Sequence, residues 1–573
     1  MTDTWQEIAE RKRQERDSRI PKEWRLRRAI PSDRFNLKDV PRESGILTQR
    51  ELDLTENFDA TAHLSGLLTG LLKSVDVTTA FCKRAAIAQQ ATNCLTEILF
   101  TDAITRAKEL DAHYARTGKP IGPLHGLPIS LKDTFKIKGY DSSVGVAAFC
   151  FQPATTNSAL VDLLLELGAV LYCKTNVPQT MAALDSHNNV FGRTLNPANR
   201  LLTAGGSSGG EGALIAMRGS VLGVGTDIGG SIRVPAFVNG LYGVKPSHGR
   251  VPYAGQEGGA LPGANKVGME ATAGPIAVSQ RDCEMFLRVV CDAKPTGLDP
   301  EVLEQTWGQQ ASLPVGSGRK LRIGVARTDG HVTPLPPVQR LMDDVAKTLA
   351  AVGGIEVVEM DLSSFGPQIV KTFNGIMSID GANTWFDHLE KTGEPLSPWL
   401  STRLKRRPQK KIDDVRKLQA QRTDIQTRFL SVWKESGGYW RSSTPSTAGE
   451  DKHLDLLICP PAPHPVAAID RWNDTNYHSM FNILDVSTGI LPVRTFSEKD
   501  MQSEVTATKP LNGWDKVNRE MWTGFDRKTY LGSALSIQVV APRLQERRLV
   551  EGMGLLDEAL RGLREESARR SKL

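Results

Sequence analysis

The sequence predicts an α/β fold, a large mixed and mainly parallel twisted sheet wrapped by helices. Three observations predict it. Apolar runs of strand length alternate with stretches of helical period. Glycine-rich turns stand at the junctions between them. The 573 residues, 40% hydrophobic and 24% charged, are enough for a large buried core.

Taken in order, residues 1–30 read as a basic, mixed-charge helix in which Glu7, Glu10, Glu15, Asp17 and Glu23 interleave with the cations. That mixture suits a solvated arm or a homodimer contact better than a helix lying on a membrane. Residues 1–59 are therefore set apart as an N-terminal helical arm, 60–563 as the main domain and 564–573 as a frayed, charged tail. Between 60 and 115, LSGLLTGLLKSV and AIAQQATNCLTEILF carry helical spacing. GPLHGLPISLKD then reads as a turn and a short strand ending at Lys132. SALVDLLLELGAVLYCKTN follows as helix, Gly168 stop and strand. GGSSGGEGALIAMRGSVLGVGTD repeats the theme, with a helix near 211–218 and a strand near 220–225. KLRIGVA and the stretch to 362 add a strand–helix–strand unit. Residues 363–450 are helix-rich and read as an inserted cap, in which Trp385, Phe386 and Trp399 either line a pocket or pack the core. The core resumes at LDLLIC and closes with GILPVRTF, SIQVVAP and a last helix.

Composition excludes several classes. A net charge of +6, from 71 basic and 65 acidic residues, is too small over this length to indicate nucleic-acid binding. Seven irregularly spaced cysteines without a CxxC argue against a disulfide framework or zinc knuckle. The ten histidines include no HExxH pattern, so no metal is expected, and no motif calls for a cofactor. The charged N-terminus has no apolar core of a secretory leader, and no run approaches the roughly 18 apolar residues of a membrane span. Ser571-Lys572-Leu573 spells a peroxisomal address, implying an import receptor as partner and the peroxisomal matrix as location, with the cytoplasm as the alternative.

Chemistry concentrates in two glycine-rich loops, GGSSGG at 205–210 and GVGTDIGGS at 223–231. Neither has the GK[ST] of a phosphate loop, and Gly223, Gly225 and Gly229 give GxGxxxG, one residue too long for a dinucleotide fingerprint. A backbone nest for an oxyanion beside a serine hydroxyl is the reading that remains. Each loop alone is equally a strand–helix turn with a serine cap. The two together, with Lys132 at a strand end upstream, point to acyl transfer.

The stretch GGSSGGEGALIAMRGSVLGVGTDIGGSIRVPA resembles the signature of the amidase signature family of serine hydrolases, whose members include acetamidases and fatty acid amide hydrolases. The likeness extends through GPLHGLPISLKDTF, KTNVPQTMAALDSHNNVFGRTLNP and GLYGVKPSHGRVP, and more weakly through FNILDVSTGILPV and SIQVVAPRLQERRLVEGM. Its style is that of the fungal acetamidase-like branch, and the membrane anchor of some fatty acid amide hydrolases has no counterpart in the arm. The resemblance implies an amide hydrolase acting on a small-molecule amide through an acyl-enzyme. Ser231 would be the nucleophile, Ser207 a bridging serine on a cis peptide that also meets substrate, and Lys132 the base. The N–H groups of Ile228, Gly229, Gly230 and Ser231 would form the oxyanion hole. Asp227 and Arg233 would brace that loop, Ser208 would orient the bridge, and Met181 would line the acyl side.

Those residue types suit the chemistry. A serine hydroxyl needs a base to take its proton as it attacks. A lysine serves when burial lowers its pKa enough to leave it neutral, and Lys132 follows the apolar run LPISL. His125, His187 and His248 lie outside any triad motif and read as ordinary core or loop histidines. Two alternatives share the scaffold: an amidotransferase A-type subunit, and a non-catalytic binding protein.

Overall fold

The alternation of apolar runs and helical stretches becomes, in a computed structural model, a single large sheet. The structure describes residues 3–260, 263–315, 318–435, 454–471, 475–506 and 508–570. In chain order the strands are β1 (Leu95–Ile98), β2 (Pro128–Lys132), β3 (Val170–Thr175), β4 (His187–Asn188), β5 (Gly192–Arg193), β6 (Leu222–Asp227) and β7 (Tyr242–Lys245). Then come β8 (Thr272–Ala277), β9 (Leu321–Ala326), β10 (Ile355–Met360), β11 (Leu456–Cys459), β12 (Ser487–Thr495) and β13 (Ala534–Ala541). β4 and β5 form a small hairpin, and the other eleven make one sheet in the order β1-β3-β2-β6-β8-β7-β12-β13-β11-β9-β10.

The sheet is mixed, as expected, but the parallel majority is not what forms. Parallel ladders join β3 to β2, β2 to β6, β11 to β9 and β9 to β10. The centre, from β6 to β13, is antiparallel throughout. The cause is the link from β7 to β8, which contains a 3-10 turn (Ala264–Lys266) and no α-helix among its described residues, so the chain reverses and β8 inserts between β6 and β7. The helix Pro336–Ala350 does cross between parallel β9 and β10, as the 320–362 pattern predicts.

Local departures have physical causes. The stretch expected to be helical up to 115 is split by β1, where Leu95, Thr96, Glu97 and Ile98 are all buried and pair with β3, with Lys12 meeting the Glu97 charge. The arm is docked rather than solvated. Its helix Trp5–Ser18 is opened by a Thr4–Glu7 capping box. Lys12, 2% exposed, lies 2.5 Å from Glu97 and 2.7 Å from Asp141. Ala9, with Trp5 and Ile8, packs on Ala147, Cys150, Val190 and Phe191. The backbone of the expected frayed tail continues as the helix Arg561–Arg570, held where Arg564 donates to Asp557 and to the Pro492 carbonyl. The terminal Ser571-Lys572-Leu573 and the loop at 442–450 lie outside the described residues.

The 363–450 region is helical where described, with Gly366–Met377, Asn383–Glu390, Pro398–Ser401 and Ile412–Glu435. Phe365, Ile369, Phe373 and Ile376 share a core with Phe429, Met480 and Phe481, and Ile228 packs against its edge. Burying each such side chain stabilises by about 1.5–3 kcal/mol. This helical layer therefore covers the sheet end where β2 and β6 stop side by side.

Candidate active site

The site begins with strand register. β2 and β6 are parallel, with Ser130 opposite Gly223 and Leu131 opposite Val224, so their carboxyl ends finish together at Lys132 and at Thr226 and Asp227. The Lys132 ammonium donates to the hydroxyls of Ser207 and Thr226, both at 2.7 Å. The residue is 1% exposed. Burial pulls its pKa down to about 7, against the raising influence of the Asp227, Glu211 and Asp133 carboxylates. A lysine so placed is neutral in a large fraction of molecules near pH 7 and can accept a proton.

Ser207 follows a cis Gly206–Ser207 peptide at the mouth of the helix Gly209–Ala216. The Ser208 N–H donates to the Ser231 carbonyl at 3.2 Å, joining the two glycine-rich loops edge to edge. The Ser208 hydroxyl accepts from the Thr226 N–H at 3.4 Å. Ser186 supports the turn from behind, donating to the Gly205 carbonyl and accepting from the Gly209 N–H, both at 3.0 Å. A Cβ on Gly206 would meet the Ala183 carbonyl oxygen at 2.5 Å, so glycine is required for this close approach.

The second loop turns around Asp227. Its carboxylate accepts from the N–H groups of Gly230 (2.9 Å) and Ile232 (3.1 Å), from Nε and Nη2 of Arg233 (both 3.0 Å), and from Asn482 (3.0 Å). Arg233 also donates to the His478 carbonyl (3.0 Å), to Gln538 (2.9 Å) and to Asn482 (2.6 Å). Burial alone would raise the Asp227 pKa, but Arg233 and the other donors hold it far below the usual carboxylate range. One of the four expected oxyanion donors is therefore otherwise engaged, because Gly230 gives its N–H to Asp227. The N–H groups of Ile228, Gly229 and Ser231 have no acceptor among the described residues. They form the nest.

Breaking this pair should be costly. Arg233→Met leaves the Asp227 charge buried and uncompensated, and the expected loss is about 3–5 kcal/mol in urea-induced unfolding. A loss below about 1 kcal/mol would show that the loop does not depend on the pair.

Met181 sits half-buried on the loop after β3, beside Thr180, and both take a left-handed backbone, φ 58° and 61°. Two such non-glycine residues in succession are uncommon and mark a conformation imposed from outside. The neighbouring Gln179 side chain ties this turn to the cap, donating to Glu394 at 2.5 Å and accepting from the Ser397 N–H at 2.7 Å. Met181 thus shares a loop with Ala183, which abuts Gly206, but no hydrogen bond with the two serines or the lysine. The three cap aromatics pack elsewhere: Trp385 against Gly259, Phe386 beneath Arg406 and Trp399 beneath Arg403. His125 accepts from the Ile121 N–H, His248 pairs with Glu301 and His187 lies by Arg193, and none of these contacts involves Ser207, Ser208 or Ser231.

Sequence reasoning missed several partners. Thr226 had a signal, since it precedes Asp227 at the end of the β6 run. Asn482 and Gln538 fall in the weaker stretches of likeness, FNILDVSTGILPV and SIQVVAPRLQERRLVEGM, which gave them no role, and His478 had no signal; they reach Arg233 from the helix Asn476–Ile483 and from β13. Phe373 and His478 close the loop from above, 2.9 Å from where a Cβ on Gly229 or on Gly230 would stand.

Known proteins share this architecture. Residues 76–550 match the sequence profile of the family described as Amidase. An acetamidase of Emericella nidulans is 38% identical over 555 residues, covering 96% of this chain and 97% of its own. An acetamidase of Aspergillus oryzae is 35% identical over 560 residues, covering 95% and 97%. Among solved structures, a fatty acid amide hydrolase superposes with a TM-score of 0.85 at 28% identity, covering 96% of this chain and 95% of its own. A buried lysine joined to a serine on one glycine-rich loop, a second such loop hydrogen-bonded to the first, and a match along nearly the whole chain lead to one conclusion: the protein belongs to the amidase family of hydrolases.

Proposed function

We propose that this amidase cleaves carboxylic amides through a Ser231–Ser207–Lys132 relay and an acyl-enzyme. The observation that carries the reading is the 2.7 Å contact between Lys132 and Ser207 at a buried strand end, where the lysine pKa is near 7. Neutral Lys132 takes the Ser207 proton as Ser207 takes that of Ser231. Ser231 oxygen bonds to the amide carbon, and the negative charge on the carbonyl oxygen is met by the N–H groups of Ile228, Gly229 and Ser231. The proton returns along the relay to the leaving nitrogen, the C–N bond breaks, and ammonia or an amine departs. Water then adds to the ester, its proton following the same route, and the acid is released with Ser231 restored.

The names of the relatives make small carboxylic amides, acetamide first, the natural start of a substrate panel that also holds esters and carbamates. Release of acid and amine by the purified chain alone supports the reading. It also excludes both an amidotransferase A-type subunit, which works only in a complex, and a non-catalytic scaffold. Absence of turnover across the whole panel would overturn it.

The proposed address is the peroxisomal matrix, reached by receptor capture of Ser571-Lys572-Leu573. Deleting these three residues should turn a punctate N-terminal fluorescent fusion diffuse while activity in vitro stays unchanged. An intact fusion that is already diffuse, in cells that import other peroxisomal cargo, would refute the address. Self-association is proposed only as a property to weigh by light scattering, since the arm first read as a dimer contact packs on its own chain.

A further inference from the structure

Three carboxylates surround Lys132, and they are not equivalent. Asp227 is matched by Arg233 at 3.0 Å. Asp133, the next residue along the chain, accepts from Thr96 (2.6 Å), Ser143 (2.9 Å) and the Val144 N–H (2.7 Å), with Lys174 at 3.7 Å as its cation. Glu211, on the helix Gly209–Ala216, has a different environment. Its two oxygens accept only from neutral hydroxyls, Ser130 at 2.6 Å and Thr175 at 2.9 Å.

The sheet is shaped to receive this carboxyl group. Ser130 and Lys132 are two residues apart on β2, so both project to the same face. Gly223 of β6 lies opposite Ser130, and a Cβ there would collide with the Glu211 carboxylate. Ser130 is itself placed by Ser220, 3.0 Å away. The other ionisable groups facing Glu211 are Cys94, Tyr172 and Cys173, and burial pushes all three upward, so they stay neutral. Facing Lys132 there remain Asp133, Asp227 and, through Thr226, the Tyr253 hydroxyl, pushed up to about 12 by burial. Among the described residues, the one cation facing Glu211 is Lys132.

We propose that Glu211 is a positioning residue whose otherwise uncompensated charge, on the same face of the sheet as Lys132, sets the basicity of that lysine, and so sets the pH range of the reaction. The inference rests on Lys132 being the base. Burial raises the Glu211 carboxyl to about 7, into the range where Lys132 titrates. Each group then governs the other, and the pair titrates as a unit. A negative Glu211 favours the ammonium form of Lys132, and a protonated Glu211 favours the free amine.

Glu211→Gln keeps the shape and removes the charge, so the Lys132 ammonium loses its stabilising partner. The acid limb of the kcat/KM profile should move to lower pH, by about one to two units, the scale of a charge interaction between neighbouring buried groups at an effective dielectric near 20. Ser130→Ala removes a donor that favours the ionised carboxyl, and should move the limb the same way by less. It also serves if the glutamine variant does not fold. Lys132→Ala, measured alongside, should remove the limb. If it retains the wild-type limb, the assignment of the base fails. If it removes the limb while folded Glu211→Gln, or Ser130→Ala in its place, leaves the limb unmoved, the relay stands and the role of Glu211 is overturned. A purely structural Glu211 would lower the plateau without shifting the limb.

Discussion

Ser231→Ala is expected to lower amide turnover by about 10^6-fold, the scale seen when a serine hydrolase loses its nucleophile, with the melting temperature nearly unchanged. The rate effect is large because no nearby hydroxyl can replace it: Ser207 is held by Lys132, and Ser208 accepts from the Thr226 N–H. Stability should be spared because the backbone of Ser231, rather than its hydroxyl, makes the structural contact, accepting from the Ser208 N–H. Residual hydrolysis within about tenfold of wild type would mean that water is activated directly and that Ser231 is only part of the loop.

Lys132→Ala has the second largest expected effect, about 10^3- to 10^4-fold in kcat/KM, the usual range for losing a general base. If the free amine of Lys132 is the proton acceptor, as proposed, the rate should rise with pH through about 7 and level off above it. The direction follows from burial: the charged form is disfavoured, so the active form is present at neutral pH instead of only above 10. The alanine variant should lose the rise as well as the rate. Substrate affinity should change little, since Lys132 reaches hydroxyls inside the wall at Ser207 and Thr226. A variant that keeps the wild-type pH profile would place the base elsewhere.

The sequence was informative where the fold is local. Lys132, Ser207, Ser231, Asp227 and Arg233 lie in strand ends and tight turns whose glycine spacing leaves few conformations open, and the structure brings Lys132 to Ser207, Ser208 to Ser231 and Asp227 to Arg233. What stayed hidden depends on residues far apart in the chain. Lys12 looks like a solvent lysine until Glu97 and Asp141 arrive beside it. The partners of Arg233 at 478, 482 and 538 stand between 245 and 305 residues further along the chain, and nothing local ties them to it. The antiparallel centre of the sheet escaped because alternating strands and helices imply parallel neighbours, and a loop that lets β8 insert between β6 and β7 leaves no trace in periodicity. The commitment of the Gly230 N–H to Asp227 escaped for a related reason, since four consecutive glycine-rich amides look alike in sequence while only geometry divides them.

The most direct test of the account is covalent. Purified wild-type protein treated with a fluorophosphonate, digested and read by tandem mass spectrometry should carry the phosphonyl group on Ser231, with activity lost in proportion to labelling. Modification at another residue, or full labelling at Ser231 with hydrolysis intact, would contradict the assignment of the nucleophile.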